Sequence, residues 1–330
     1  MIEKILEYLK PKRKVLLLTH DNPDPDSIAS AFALKNLLYY IYKKRCTISY
    51  KGIIGRSQNK ELVRACQIKM FKSLMLNFSR YEAIILVDSQ PGAGNVYIPE
   101  GFDPDIIIDH HNIRVQSKKA TIKDISPFAG STSTIVAGYY KKLNILPDKD
   151  TATALYYGIK TDTIGTARIN TKQDQEMMSF LIPHSSLKKL SKIENPELPR
   201  YYYKNLYKAI EKMEIVDDVI LCDLGDVRNP DLIAESSDFF LRMREIKWTL
   251  VSGSIDGICY FSLRCKSTRK NVGHIAMVLT RGIGSGGGHL KSAGGQVHLG
   301  DKKYSEIYSI LKERLLNLLA KKEEPEKIII

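Results

Sequence analysis

The sequence is short of the features that would place it outside ordinary globular chemistry. Cysteine is scarce: Cys46, Cys66, Cys222, Cys259 and Cys265 are odd in number and form no CxxC pair, which argues against a zinc ribbon or a disulfide frame. They read as reduced thiols of a cytoplasmic protein. Long hydrophobic runs are missing too, since stretches such as Ala83 to Val87 fall far below the roughly 20 residues of a membrane helix. The first residues, MIEKILEYLKPKRK, have no uninterrupted apolar core and no small-residue cleavage site, so no secretory signal is expected. Acid is the minority charge: 50 Lys and Arg against 37 Asp and Glu give +13, an excess that favours an anionic partner. With 43% hydrophobic and 26% charged residues, wholesale disorder is excluded. At about 150 residues per domain, a chain of 330 residues implies two domains.

The first half alternates continuous apolar runs with helical spacing. Lys14 to Thr19, Ala83 to Asp88 and Asp105 to Asp109 read as buried strands, and Ser27 to Tyr42 as a helix capped by Ser27. Such strands linked by helices indicate an α/β domain built on a parallel sheet with helices on both faces. A helix from about Asp150 to Gly158 is expected next, then a polar turn from Lys160 to Gly165. Residues 182–200 contain three prolines and read as a linker with one short helix at most. A helical segment from Tyr201 to about Asp217 leads into a second, smaller α/β region. Its strands are expected at Val219 to Leu224, Thr249 to Ile255 and Ile258 to Arg264, before a glycine-rich loop, Gly282 to His289, and a helix from Tyr304 to Lys321.

The decisive pattern is where the scarce acids lie. Asp21, Asp24 and Asp26 fall directly after a strand ending at His20. Carboxylates that close repel one another, and a nearby cation would remove the conflict. Asp88 closes the second apolar strand, Asp109, His110 and His111 close the third, and Asp162 follows the later helix. Ligands of open parallel sheets bind at the carboxyl ends of the strands, so these side chains are expected to converge there. Carboxylates with a few imidazoles and no thiolate suit manganese or magnesium ahead of cobalt, zinc or iron. The donors exceed what one ion needs, whereas two ions roughly 3.5–4 Å apart and sharing a carboxylate would use them. Such a pair makes a nucleophile of water at neutral pH, and the expected reaction is metal-assisted phosphoester hydrolysis.

Here the sequence resembles the DHH phosphoesterases. His20-Asp21-Asn22-Pro23-Asp24-Pro25-Asp26 is similar to the family's first motif and Leu86-Val87-Asp88 to its second. Ile108-Asp109-His110-His111 is similar to the third, and Gly158-Ile159-Lys160-Thr161-Asp162-Thr163 to the fourth. Phe261-Ser262-Leu263-Arg264, Gly286-Gly287-Gly288-His289 and Ala293-Gly294-Gly295 resemble the DHH-associated C-terminal domain. The resemblance implies a metal-binding catalytic domain over 1–182, a linker and connecting helix over 183–217, a substrate-binding domain over 218–322 and a tail over 323–330. It implies that His20 and Asp24 hold one metal, that Asp26, His110 and Asp162 hold the other, and that Asp88 bridges both. His111 would face the scissile phosphate, and Asp109 would orient an imidazole from behind. Arg264, Gly286, Gly287, Gly288 and His289 would bind substrate, the glycines through bare backbone N–H groups and Arg264 by a bidentate phosphate contact. Pro25 stands where many members have glycine, and Thr134 where nanoRNase-type members often carry glutamate. These departures leave the ligand set whole but loosen any transfer of substrate preference.

The leading expectation is a two-metal, manganese-dependent phosphoesterase, with magnesium or cobalt as substitutes. It would hydrolyse short RNA or DNA oligonucleotides from an end, as an exonuclease of the nanoRNase type, and also 3′-phosphoadenosine 5′-phosphate. The alternative is a phosphodiesterase for a cyclic dinucleotide such as cyclic di-AMP, or for its linear product. A third reading is a non-catalytic nucleic-acid-binding module. The expected partners are these nucleotides and a second copy in a homodimer, with no membrane.

Overall fold

The computed structural model describes residues 1–163, 171–267, 270–288 and 290–320. The chain divides into two compact units, Met1–Pro196 and Glu197–Ile330. The first unit begins with α1 (Ile2–Leu9), β1 (Lys14–Leu18), α2 (Pro25–Tyr42), β2 (Arg45–Tyr50), α3 (Ser57–Ala65) and β3 (Met70–Lys72). It continues with β4 (Ala83–Val87), β5 (Ile106–Asp109), β6 (Ile122–Ile125), α4 (Thr132–Lys142), α5 (Lys149–Thr163), α6 (Lys172–Leu181) and α7 (Leu187–Glu194). Its sheet has six strands in the order β3-β2-β1-β4-β5-β6, all parallel. The chain winds from β1 to one edge and then from β4 to the other, so β1 and β4 flank the point where the winding reverses, the place where such sheets bind ligands.

Continuous apolar strands are explained by the two faces they must fill. Val15, Leu17, Ile85, Val87, Ile106 and Ile108 pack among residues of α1, α2, α4 and α5. Leu16, Leu18, Ile84, Leu86 and Ile107 pack on the other face with Phe78, Ala120, Tyr97 and Phe102. That second face is closed by short 3₁₀-helices, including Phe78–Arg80 and Val115–Lys119, and by the segment between β4 and β5. Each Leu or Ile buried in this way contributes about 1.5–3 kcal/mol.

Two boundaries of the first unit differ from expectation. Asp24, and not Ser27, caps α2, with its Oδ1 accepting from the Ser27 N–H at 3.0 Å. Pro25, whose missing N–H costs nothing at the first helical position, moves the start back to residue 25. The helix expected to stop at Gly158 runs on to Thr163, so Asp162 sits on its last turn where a polar turn was expected. Residues 164 and 165 of that turn lie outside the described residues.

The second unit contains α8 (Arg200–Lys212), β7 (Met213–Val216), β8 (Val219–Asp226), α9 (Asp231–Phe240), β9 (Trp248–Ile255) and β10 (Ile258–Cys265). After them come α10 (Val272–Leu279), β11 (Ser285–Gly288), β12 (Ser292–His298) and α11 (Tyr304–Leu319). The sheet order is β11-β12-β10-β9-β8-β7. One face packs on α10 and α11 and the other on α8 and α9. The segment 183–217 is thus shared out: Leu190 and Ile193 of α7 join the core of the first unit, while the helix expected from Tyr201 to about Asp217 stops at Lys212, because Met213–Val216 pair with β8 as the edge strand β7. Within the glycine-rich loop, Ser285–Gly288 is an edge strand paired with β12. The five cysteines are buried and unpaired. Among the described residues no helix is long and apolar enough to cross a membrane.

Candidate metal centre

The parallel register delivers the acids and imidazoles to one edge. His20 follows β1, Asp24 and Asp26 open α2, Asp88 follows β4, Asp109 ends β5, and His110 and His111 come next. α5 contributes Asp162. Two triads result, His20–Asp24–Asp88 and Asp26–His110–Asp162, each able to place its ligand atoms within 4.8 Å of one another. His20 Nε2 lies 3.6 Å from Asp24 Oδ1 and 3.7 Å from Asp88 Oδ2. His110 Nε2 lies 3.9 Å from Asp26 Oδ2, 3.5 Å from Asp88 Oδ1 and 3.4 Å from Asp162 Oδ2. Asp88 therefore faces an imidazole of each triad with a different carboxylate oxygen. Asp109 and His111 join Asp88 and His110 in a further cluster of the same tightness.

Backbone geometry and hydrogen bonds fix each donor. Asp88 adopts φ +60°, a left-handed conformation that non-glycine residues rarely hold without tertiary compulsion. His20 Nδ1 lies 2.8 Å from the Asp21 carbonyl and His110 Nδ1 3.4 Å from the Ala129 carbonyl. A carbonyl accepts, so Nδ1 donates in each ring and Nε2 is the nitrogen left facing the acids. Asp26, fully buried, accepts from the N–H groups of Thr132 and Ser133, both at 2.7 Å, at the start of α4. The positive end of that helix favours the carboxylate there. The Thr132 hydroxyl donates to Asp88 Oδ1 at 2.8 Å.

The electrostatics without a cation are unfavourable. Burial, with the negative charges of Asp162 and Asp24 added, pushes the Asp26 carboxyl up to about 8. Burial and the surrounding carboxylates push Asp88 well above the usual carboxylate range. Burial works against charge on His20, yet attraction to Asp24 outweighs it and raises the imidazole to about 9. Buried carboxylates that resist ionising, crowded beside imidazoles whose Nε2 faces them, make a donor set that a divalent cation would relieve by displacing the protons.

Asp109 sits behind this layer. Burial raises its pKa, but its bond with His111 more than offsets that, and the carboxyl lies below its usual range. Its Oδ1 is 2.7 Å from His111 Nδ1 and also accepts from the His110 N–H at 2.9 Å. Gln90, which sequence reasoning missed, donates to Asp109 Oδ2 at 2.6 Å. Its carbonyl oxygen accepts from the Arg114 N–H and the Ser117 hydroxyl, both at 2.8 Å. Thr132 and Ser133 were missed as well. The only sequence signal for them is a run of hydroxyls, Ser131 to Thr134, ahead of an apolar helix.

The expected substrate-binding residues form a second group within the Glu197–Ile330 unit. Arg264, on β10, pairs with Asp238 (Nε to Oδ1, 2.6 Å) and donates from Nη1 to the carbonyls of Leu263 at 3.1 Å and Ala293 at 3.0 Å. Gly286, Gly287 and Gly288 lie on β11, and Gly288 is in register with Ala293. Packing requires the smallness of two of them: a Cβ at Gly286 would come 2.6 Å from the Ala276 carbonyl oxygen of α10, and one at Gly288 would come 2.4 Å from the Ser292 carbonyl oxygen, while Gly287 faces open space. His289 lies outside the described residues.

Comparison with known proteins agrees with this geometry. Residues 14–159 match the family described as DHH family, N-terminal domain. The chain is 33% identical over 323 residues to the uncharacterized protein MJ1633 of Methanocaldococcus jannaschii, covering 95% of this chain and 66% of that protein. It is 29% identical over 200 residues to the probable manganese-dependent inorganic pyrophosphatase of Clostridium acetobutylicum, covering 59% of each. Among solved structures, an exopolyphosphatase-related protein from Bacteroides fragilis shares the fold with a TM-score of 0.76 at 16% identity, over 96% of this chain and 95% of that one.

Proposed function

The chain belongs to the DHH family through its N-terminal domain, and on that premise we propose that it is a manganese-dependent phosphoesterase acting on short oligonucleotides. The observation that carries this reading is the pair of carboxylate–imidazole triads meeting at Asp88. In this reading His20 and Asp24 would hold one cation, Asp26, His110 and Asp162 would hold a second, and Asp88 would serve both. Cations held there supply Lewis acidity toward water and a phosphoryl oxygen. The protein's own residues do the rest. His111, with a side chain 38% exposed and Nδ1 anchored on Asp109, is placed to offer Nε2 to a phosphate oxygen. The Asp109 carboxylate, accepting from Nδ1, fixes the orientation of that ring. Within the second unit, Arg264 and the backbone N–H groups of Gly286, Gly287 and Gly288 would bind phosphate, a role the resemblance also implies for His289.

Short nucleic acids are favoured over other phosphoesters by the excess of +13 and by the resemblance of Arg264 and the glycine strand to the DHH-associated domain. Pyrophosphate is a second reading, favoured by the identity to the Clostridium acetobutylicum protein. The test is a substrate panel with manganese, resolved by chromatography, holding a labelled short RNA, a short DNA, 3′-phosphoadenosine 5′-phosphate, cyclic di-AMP and pyrophosphate. Turnover of di- to pentanucleotides is expected. Turnover of pyrophosphate or the cyclic dinucleotide alone would replace the substrate assignment, and no turnover of any would remove the enzyme reading.

A further inference from the structure

Asp174, which opens α6, is fully buried and belongs to neither triad. A buried carboxylate is costly unless its oxygens are satisfied, and these are. Oδ2 accepts from the Thr171 N–H and hydroxyl, both at 2.7 Å, closing the cap of its own helix. Oδ1 reaches across to another element, accepting from the Gly130 N–H at 3.0 Å and the Thr134 hydroxyl at 2.6 Å. The Thr134 and Ser131 hydroxyls are 2.9 Å apart, and Ser131 is the cap of α4, accepting from the Thr134 N–H at 3.0 Å. Gly130 touches this carboxylate so closely that a Cβ would come 2.3 Å from Oδ2. Capping α6 needs only the Thr171 contacts, so the second oxygen serves α4.

The next residues of α4 hold the metal-site acids. Thr132 and Ser133 give their N–H groups to Asp26, and the Thr132 hydroxyl goes to Asp88. An unbroken path of hydrogen bonds and one helix turn thus joins Asp174 to a carboxylate of each triad. We propose that Asp174, acting through Thr134 and Gly130 on the first turn of α4, is a positioning residue that sets Asp26 and Asp88 for divalent cation binding. The proposal rests on the metal reading of the triads. Residues that brace metal ligands from outside typically change metal affinity by about 10–100-fold when altered.

The test is manganese binding by the full chain, read as free Mn²⁺ by electron paramagnetic resonance, with circular dichroism and the metal-free Tm as fold controls. Thr134→Val removes the hydroxyl that joins Asp174 to α4, and Asp174→Asn places an amide donor against existing donors. Each is expected to weaken manganese binding by about 10-fold or more, while Thr134→Ser keeps it within about threefold of the wild type. A matched control is Thr249→Val, which breaks the buried 2.6 Å Ser237–Thr249 hydroxyl pair of the second unit. It is expected to lower Tm and leave manganese affinity unchanged. Should Asp174→Asn fail to fold, Thr134→Val decides. Folded variants that bind manganese like the wild type would overturn the proposal. A wild-type protein that binds no manganese would instead overturn the metal reading on which it rests.

Discussion

At the scale of the residue, one carboxylate matters most. Asp88 combines a left-handed backbone, near-complete burial and two imidazoles within 3.7 Å. Asp88→Ala is expected to lower hydrolysis by at least about 10²-fold, more than the loss of an outer partner, with the fold retained by circular dichroism. Variant activity close to wild type would exclude Asp88 from the reacting centre. The raised carboxyl of Asp26 has a consequence for stability. Between its ordinary value of 3.8 and about 8 the folded state keeps a proton that the unfolded state has lost, so metal-free stability falls as pH rises through that window. His20 acts in the same direction, because its imidazole, raised to about 9, loses its stabilising proton as pH climbs. Manganese removes both conflicts by taking the proton's place. It should therefore raise Tm more at pH 8 than at pH 5, measured by thermal shift with and without the ion; an equal or smaller rise at pH 8 would contradict this. The convergence of these side chains was legible in sequence because acids are scarce and gather at strand ends. Thr132 and Ser133 were not, since their bonds to Asp26 span 106 and 107 residues and nothing local announces them. Gln90 was missed for the same reason, being 19 residues from the Asp109 it holds.

At the scale of the element, the strands were read well because burial on both faces demands unbroken apolar runs, as in Ala83–Val87. Helix ends were read less well. Asp24 takes the cap from Ser27 while also standing in the triad with His20 and Asp88, so one carboxylate has two sets of partners that a local rule cannot separate. The run of α5 to Thr163 places Asp162 on a helix facing His110, which its polar composition concealed. The glycines of the second unit were expected as a loop, yet Ser285–Gly288 pairs with β12 as an edge strand, with Gly286 and Gly288 close against α10. The packing of α2, α4 and α5 also rests on a glycine. A Cβ on Gly158 would meet Ser133 Oγ at 2.4 Å and Ala29 Cβ at 3.1 Å. Gly158→Ala should cost about 1–3 kcal/mol by overpacking and weaken manganese binding, because Ser133 holds Asp26. A variant with unchanged Tm and unchanged manganese affinity would show that this contact relaxes freely.

At the scale of the whole molecule, the excess of +13 conceals a local reversal, for the acids gather where cations would sit. The remaining lysines and arginines give a diffuse attraction for phosphates. For a short oligonucleotide meeting two phosphate contacts, raising salt from about 50 to 200 mM should raise KM by about sevenfold with kcat little changed. A salt-insensitive KM would separate the charge excess from substrate binding. The two-unit organisation was foreseeable from length, while the partition near Pro196 was hidden in a proline-rich stretch whose α7 packs into the first core. The central claim is that the triads meeting at Asp88 are a divalent metal centre. It is tested most directly by anomalous diffraction at the manganese edge from crystals grown with MnCl₂. The account predicts two peaks roughly 3.5–4 Å apart, one bounded by His20, Asp24 and Asp88 and the other by Asp26, Asp88, His110 and Asp162. No peak among these side chains, in crystals where manganese occupies other positions, would contradict it.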